Sequence, residues 1–100
     1  MTLDAKIDSP IYELLKFKIG EYPNKRVAIQ LFIDSDDSPF ATLTTNLPDK
    51  HLEEGEFFIK DWSENEEVAI LCMASGLFKN TGKGVHSGFV SVPIWRFSEE

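Results

Sequence analysis

A chain of 100 residues has room for one domain with a single modest core, and residues 1–100 are read as one unit. Its 42% apolar and 27% charged residues match a soluble globular protein, and no apolar run approaches the roughly 20 residues needed to cross a bilayer. Seventeen acids against ten bases give a net charge of -7, which argues against direct contact with phosphate backbones.

The opening "MTLDAKIDSP" has neither the basic nor the apolar region of a secretory signal, so a cytoplasmic location is expected, with residues 1–9 fraying. In "IYELLKFKI", Ile11, Leu15, Phe17 and Ile19 fall on one side of an extended chain and Lys16 and Lys18 on the other, which predicts a half-buried strand. After Gly20, Pro23 and Asn24, "RVAIQLFI" alternates Val27, Ile29, Leu31 and Ile33 with Ala28, Gln30 and Phe32, a second strand. "DSDDSP" supplies turn residues, and "FATLTTNL" continues as a third strand, giving a hairpin over residues 26–47. Pro48 closes it.

"DKHLEEG" connects to "EFFIKDW", a fourth strand rich in aromatic and β-branched residues. Ser63 with Glu66 three residues on fits a capping box, and Glu64, Glu66 and Glu67 suit the positive end of a helix dipole. A helix is therefore expected from Ser63, carrying "EVAILCMAS" and stopped by Gly76. The chain then returns to extended form in "VHSGFVSVPIWRF", with Val90, Val92 and Ile94 on one side and Phe89, Trp95 and Phe97 on the other. The expected fold is α+β: a small antiparallel sheet in β-β-β-β-α-β order with one helix packed on one face. A single helix cannot cover both apolar faces of the last strand, so Trp95 and Phe97 are expected to form an apolar patch for a partner or a second copy of the chain.

Several stretches resemble reaction or metal sites and fail on spacing. "DSDDSPFATLTT" has Pro39 and Thr45 where a calcium loop needs Gly and Glu. "GLFKNTGKG" runs from helix to strand, the reverse of a phosphate loop, and has Gly84 where Ser or Thr would hold magnesium. His51 beside Glu53 and Glu54 has only His86 as a second imidazole, without the ligand spacing of a metal site. Cys72, the only cysteine, offers neither a disulfide nor a zinc framework and reads as a small core residue. No nucleophile motif surrounds the serines. Catalytic residues, metals and cofactors are expected to be none.

The distinctive stretch is "TTNLPDKHLEEGEFFIKDWSENEE", in which Asp49, Glu53, Glu54, Glu56, Asp61, Glu64, Glu66 and Glu67 are opposed only by Lys50 and Lys60. Eight acids less two bases leave -6 locally, which reads as a solvated face open to a basic protein.

Three blocks, "PFATLTTNLPD", "LEEGEFFIKDWSENE" and "TGKGVHSGFVSVPIWRF", resemble the bacterial family called domain of unknown function 4313. The likeness starts near Arg26 and rests on the Asn46-Leu47-Pro48 motif and a "TGR"-like turn before "SGF", here with Lys83 in place of Arg. It implies an accessory protein of plasmids, phages and conjugative elements, and brings no catalytic residue with it. Asn46, Leu47 and Pro48 also read structurally, Leu47 anchoring the turn that ends the third strand.

The resulting expectation is a small acidic, non-enzymatic protein-binding module. Its partner residues would be Asp49, Glu53, Glu54, Glu56, Asp61, Glu64, Glu67, Trp95 and Phe97. In one version the carboxylates imitate nucleic acid and block a basic groove, as an anti-CRISPR or antirestriction protein does. In the alternative, a structural or regulatory subunit self-associates or pairs through its apolar sheet face, and an enzyme ranks last.

Overall fold

A computed structural model of the chain describes the backbone of residues 2–7 and residues 14–98 in full. The strands are β1 (Thr2–Ile7), β2 (Leu15–Glu21), β3 (Val27–Ile33), β4 (Pro39–Thr42), β5 (Thr44–Thr45), β6 (Glu56–Ile59), β7 (Phe78–Ser87) and β8 (Val90–Phe97), with one helix, α1 (Glu66–Ala74), after a 3-10 turn over Ser63–Asn65. This is an α+β fold in which the antiparallel strands divide between two four-stranded sheets, ordered β1-β2-β3-β4 and β5-β6-β8-β7.

The first sheet follows the sequence pattern closely. Leu15, Phe17 and Ile19 of β2 and Ile29 and Leu31 of β3 point into the core, while Lys18 and Gln30 are exposed, as period-2 alternation requires. Residues 2–7, expected to fray, instead pair with β2 as an added strand. Ile11 and the two terminal glutamates lie outside the described residues.

The third strand does not run through. Leu43, fully buried, separates β4 from β5: its N–H donates to the Ile29 carbonyl in the first sheet (2.9 Å), and its carbonyl accepts from the Lys60 N–H beside the second (2.8 Å). One bent strand thus serves both sheets, the way sheets are commonly joined at a corner. Between them lies the main core, where Phe78 stands among Phe17, Phe57, Trp95 and Phe97 at ring distances of 5.6, 6.1, 5.8 and 5.6 Å. From α1, Val68, Ala69 and Cys72 join the same core, whereas Ile70 is exposed.

The capping box does not form. Ser63 has φ 55°, and no side-chain hydrogen bond caps either the 3-10 turn or α1. The helix is fixed instead by Asn65, 4% exposed, whose Nδ2 donates to the carbonyls of Thr42 (2.6 Å) and Lys60 (3.1 Å). At the other end Gly76 takes φ 80° and donates to the Met73 carbonyl at 3.3 Å, so the glycine stop is where the sequence places it.

After α1 the chain makes two strands where the sequence suggested one. "VHSGFVSV" is the turn of a long β7–β8 hairpin, with Gly88 at φ 62° and Phe89 fully exposed at its tip. A bulge interrupts the pairing between Asn80 and Lys83. Within it the Thr81 hydroxyl donates to the Ile94 carbonyl (2.7 Å), and the Gly82 N–H donates to the Asn80 side chain (2.9 Å).

Candidate functional site

The eight-carboxylate stretch is rearranged by folding. It does not form one continuous face, because β6 lies in its middle and separates Asp49, Glu53 and Glu54 from Asp61, Glu64, Glu66 and Glu67. Four residues at about 3.4 Å each put roughly 13 Å of strand between the two groups. Glu56 itself leaves the surface. Its carboxylate meets the Lys83 ammonium at 2.7 Å and accepts from the Glu53 N–H at 2.9 Å. The Lys83 bond, ahead of the backbone bond and the Arg96 charge, holds this carboxyl below its ordinary value despite burial. Its cover is thin: the side chain is 7% exposed, yet few atoms pack around it and desolvation is outweighed. The bulge at Thr81 and Gly82 sets Lys83 opposite Ile94, from where it reaches across β8 to Glu56. Glu56 is therefore a structural residue and not a contact residue.

The other acids divide by environment. Asp49, Glu53, Glu54, Glu64, Glu66 and Glu67 are exposed. Glu53 pairs with His51 at 2.7 Å, and Glu64 sits 3.8 Å from Lys60; both pairs are at the surface and weak. Asp61 differs from all of these. It is half-buried, and desolvation, reinforced by the nearby charge of Glu66, raises its pKa.

The proposed apolar patch is not available. Trp95 is 4% exposed and lies in the main core, and the half-buried Phe97 packs on Phe57 at 5.1 Å and on Phe78. The opposite face of β8 is covered as well: Val92 and Ile94 cluster with Phe58 beneath Leu47, Leu52, Trp62 and Val85. The chain covers both faces of β8 itself, using the first sheet's inner face and α1 for one and the 47–62 segment for the other. Trp95 and Phe97 therefore drop out as partner residues.

The Asn46-Leu47-Pro48 segment serves this cover. Leu47 packs on the second cluster; its carbonyl and that of Lys50 accept from the Arg26 guanidinium at 2.7 and 2.6 Å, while Arg26 lies 5.7 Å over the Phe58 ring. Asn24 donates to Asn46 at 3.2 Å. The motif thus ties the β2–β3 turn to the acidic connection, which is the structural reading of its sequence.

The rejected motifs also find structural roles. "DSDDSP" is a hairpin turn in which the Asp36 carboxylate accepts from the Ser38 N–H at 3.0 Å, a bond that lowers its pKa, and Asp37 pairs with Lys16. Cys72 is fully buried, and desolvation pushes its thiol up to about 12, far from reactive. Among the described residues no cluster of three or more His, Cys, Asp or Glu side chains is placed to hold a metal ion. None of the described helices is long and apolar enough to cross a membrane.

One arrangement was not legible beforehand. His86 and Ser91 pair across the β7–β8 hairpin, Ser91 Oγ lying 3.2 Å from His86 Nδ1, and Asp61 lines the same open depression. Because β8 runs between β6 and β7, Ser91 stands between the carboxylate side and the imidazole. A nucleophilic triad needs the imidazole in the middle, so this order does not make one. Recognising Gly88-Phe89 as a hairpin turn would have exposed the His86–Ser91 pair in the sequence.

Comparison with family models, with curated proteins and with solved structures gives no match to this chain.

Proposed function

We propose that this protein is a small, non-enzymatic acidic binding module that engages a basic protein, in the manner of a mobile-element product that occupies the nucleic-acid groove of a host defence protein. The observation that carries this reading is the state of six carboxylates. Asp49, Glu53, Glu54, Glu64, Glu66 and Glu67 are all exposed on the loop and helical segments flanking β6, opposed among the described residues only by the two weak surface pairs to His51 and Lys60. Two acidic groups set on either side of β6 in the chain offer a basic groove two anchorage points, and exposed charges of this kind act mainly by steering encounter. The setting of a plasmid, phage or conjugative element comes from the family resemblance of the motif blocks, and the anti-CRISPR or antirestriction role is the sharpest form of the proposal.

The test begins with recovery of the partner by pull-down from the native host. Association kinetics are then measured for wild type and for a variant carrying Lys at Glu53, Glu54, Glu64 and Glu67. Glu56 is left intact because of its structural bond to Lys83. The expected result is slower association in the variant and at raised salt, since screening limits exposed charges to about 8 Å at physiological ionic strength. Equal association rates with no salt dependence would reduce the acidic stretch to a solubility feature.

A further inference from the structure

We infer that the depression beside Asp61 receives an arginine side chain of the basic partner, an inference that rests on the acidic-module reading and adds to it a specific anchoring subsite. The depression, about 480 Å³ and open to solvent, is lined by Asp61 together with His86, Ser91, Gly84 and Pro93. Glycine is required in it: a Cβ on Gly84 would stand 2.9 Å from the Val92 carbonyl oxygen, closer than packing allows, so no side chain of this chain can fill that position. Asp61 is half-buried there without a cation of its own among the described residues. Lys83, which also lines the depression, is already held by Glu56 at 2.7 Å, and Glu66 adds a second negative charge.

A carboxylate partly withdrawn from water and lacking a countercharge is an incomplete ion pair. The group that completes it must be positive, must enter an open, shallow space, and must satisfy the polar rim. Guanidinium fits these demands better than ammonium. It is planar and weakly hydrated, can bond a carboxylate with two parallel N–H groups, and keeps further N–H donors for Ser91 Oγ; its flat face can lie on the imidazole of His86 or on the bare Gly84–Pro93 floor. A lysine ammonium would surrender a tight hydration shell for a single point contact.

The probes are hexa-arginine and hexalysine peptides, equal in length and charge, titrated at low salt into the full chain and into Asp61→Asn while backbone amide signals are followed. Wild type is expected to bind hexa-arginine about tenfold more tightly than hexalysine, with the largest signal shifts at Asp61, Gly84, His86 and Ser91, and Asp61→Asn to bring the two affinities within about twofold. The variant with Lys at Glu53, Glu54, Glu64 and Glu67 should weaken both peptides and preserve their ratio. Equal affinities in wild type, or an arginine preference that survives Asp61→Asn, would overturn the subsite while leaving the acidic-module reading intact, provided the four-Lys variant still weakens both. Absence of binding by either peptide would overturn both.

Discussion

Asn65 is the side chain that bonds to backbone of both sheets at once, and its removal gives a quantitative test of the fold. Its Nδ2 donates to Thr42 at the end of β4 in one sheet and to Lys60 beyond β6 in the other, from a position 4% exposed. Replacement by Ala removes two hydrogen bonds worth about 1 kcal/mol each and leaves carbonyls in a buried site, a further 1–3 kcal/mol if water cannot reach them, so a loss of roughly 2–5 kcal/mol is expected. For a domain of this size, where 1 kcal/mol moves the melting midpoint by roughly 4–8 °C, that corresponds to a fall of about 8 °C or more. Asn65→Asp should be at least as harmful, because it sets an acceptor against two acceptors. The assay is urea denaturation followed by tryptophan fluorescence, with a thermal melt by circular dichroism. A loss below about 0.5 kcal/mol for Asn65→Ala, the scale of an ordinary surface substitution, would refute the claim that this side chain joins the sheets.

Four further outcomes follow from the same geometry. Ser63→Ala should change stability by less than about 0.5 kcal/mol, since the hydroxyl caps nothing, whereas Ser63→Gly should stabilise by up to about 1 kcal/mol by relieving φ 55°; denaturant midpoints decide between this and a working cap. Gly84→Ala should cost about 1–3 kcal/mol because its Cβ would press on the Val92 carbonyl at 2.9 Å, and an unchanged midpoint would count against that close approach. Glu56, with its pKa lowered by Lys83, contributes stability above the unfolded value of 4.5 and loses it as pH falls through the folded value; Glu56→Gln should be less stable than wild type at pH 7, and the two should converge in acid. Asp61 has the opposite sign: its raised pKa means that its charge opposes folding at neutral pH, so Asp61→Asn should be the more stable protein at pH 7, with the advantage fading as pH falls through the raised folded value and gone below the ordinary Asp value of 3.8. Melts across a pH series read both.

The sequence alone determined what depends on neighbours along the chain. Alternation in Leu15–Ile19 and Val27–Ile33 set which side chains face inward, Asp and Ser residues marked the 34–38 turn, Gly76 marked the helix end, and the burial of Cys72 followed from its apolar setting. Each of these is a local preference that the fold had no reason to override. Tertiary structure decided where distant segments compete for the same group. Ser63 has the right residue three positions before Glu66, yet Asn65 found carbonyls in two sheets and fixed the helix from there. "FATLTTNL" reads as one strand by propensity, but Leu43 bonds to both sheets and bends it. Trp95 and Phe97 look uncovered when only a helix is counted, because the covering segments, the inner face of one sheet and the 47–62 connection, are remote in sequence. The acidic stretch shows the same division. Its charge is a property of composition, but strand register alone withdrew Glu56 toward Lys83, left six carboxylates in water, and half-buried Asp61 without a counterion among the described residues.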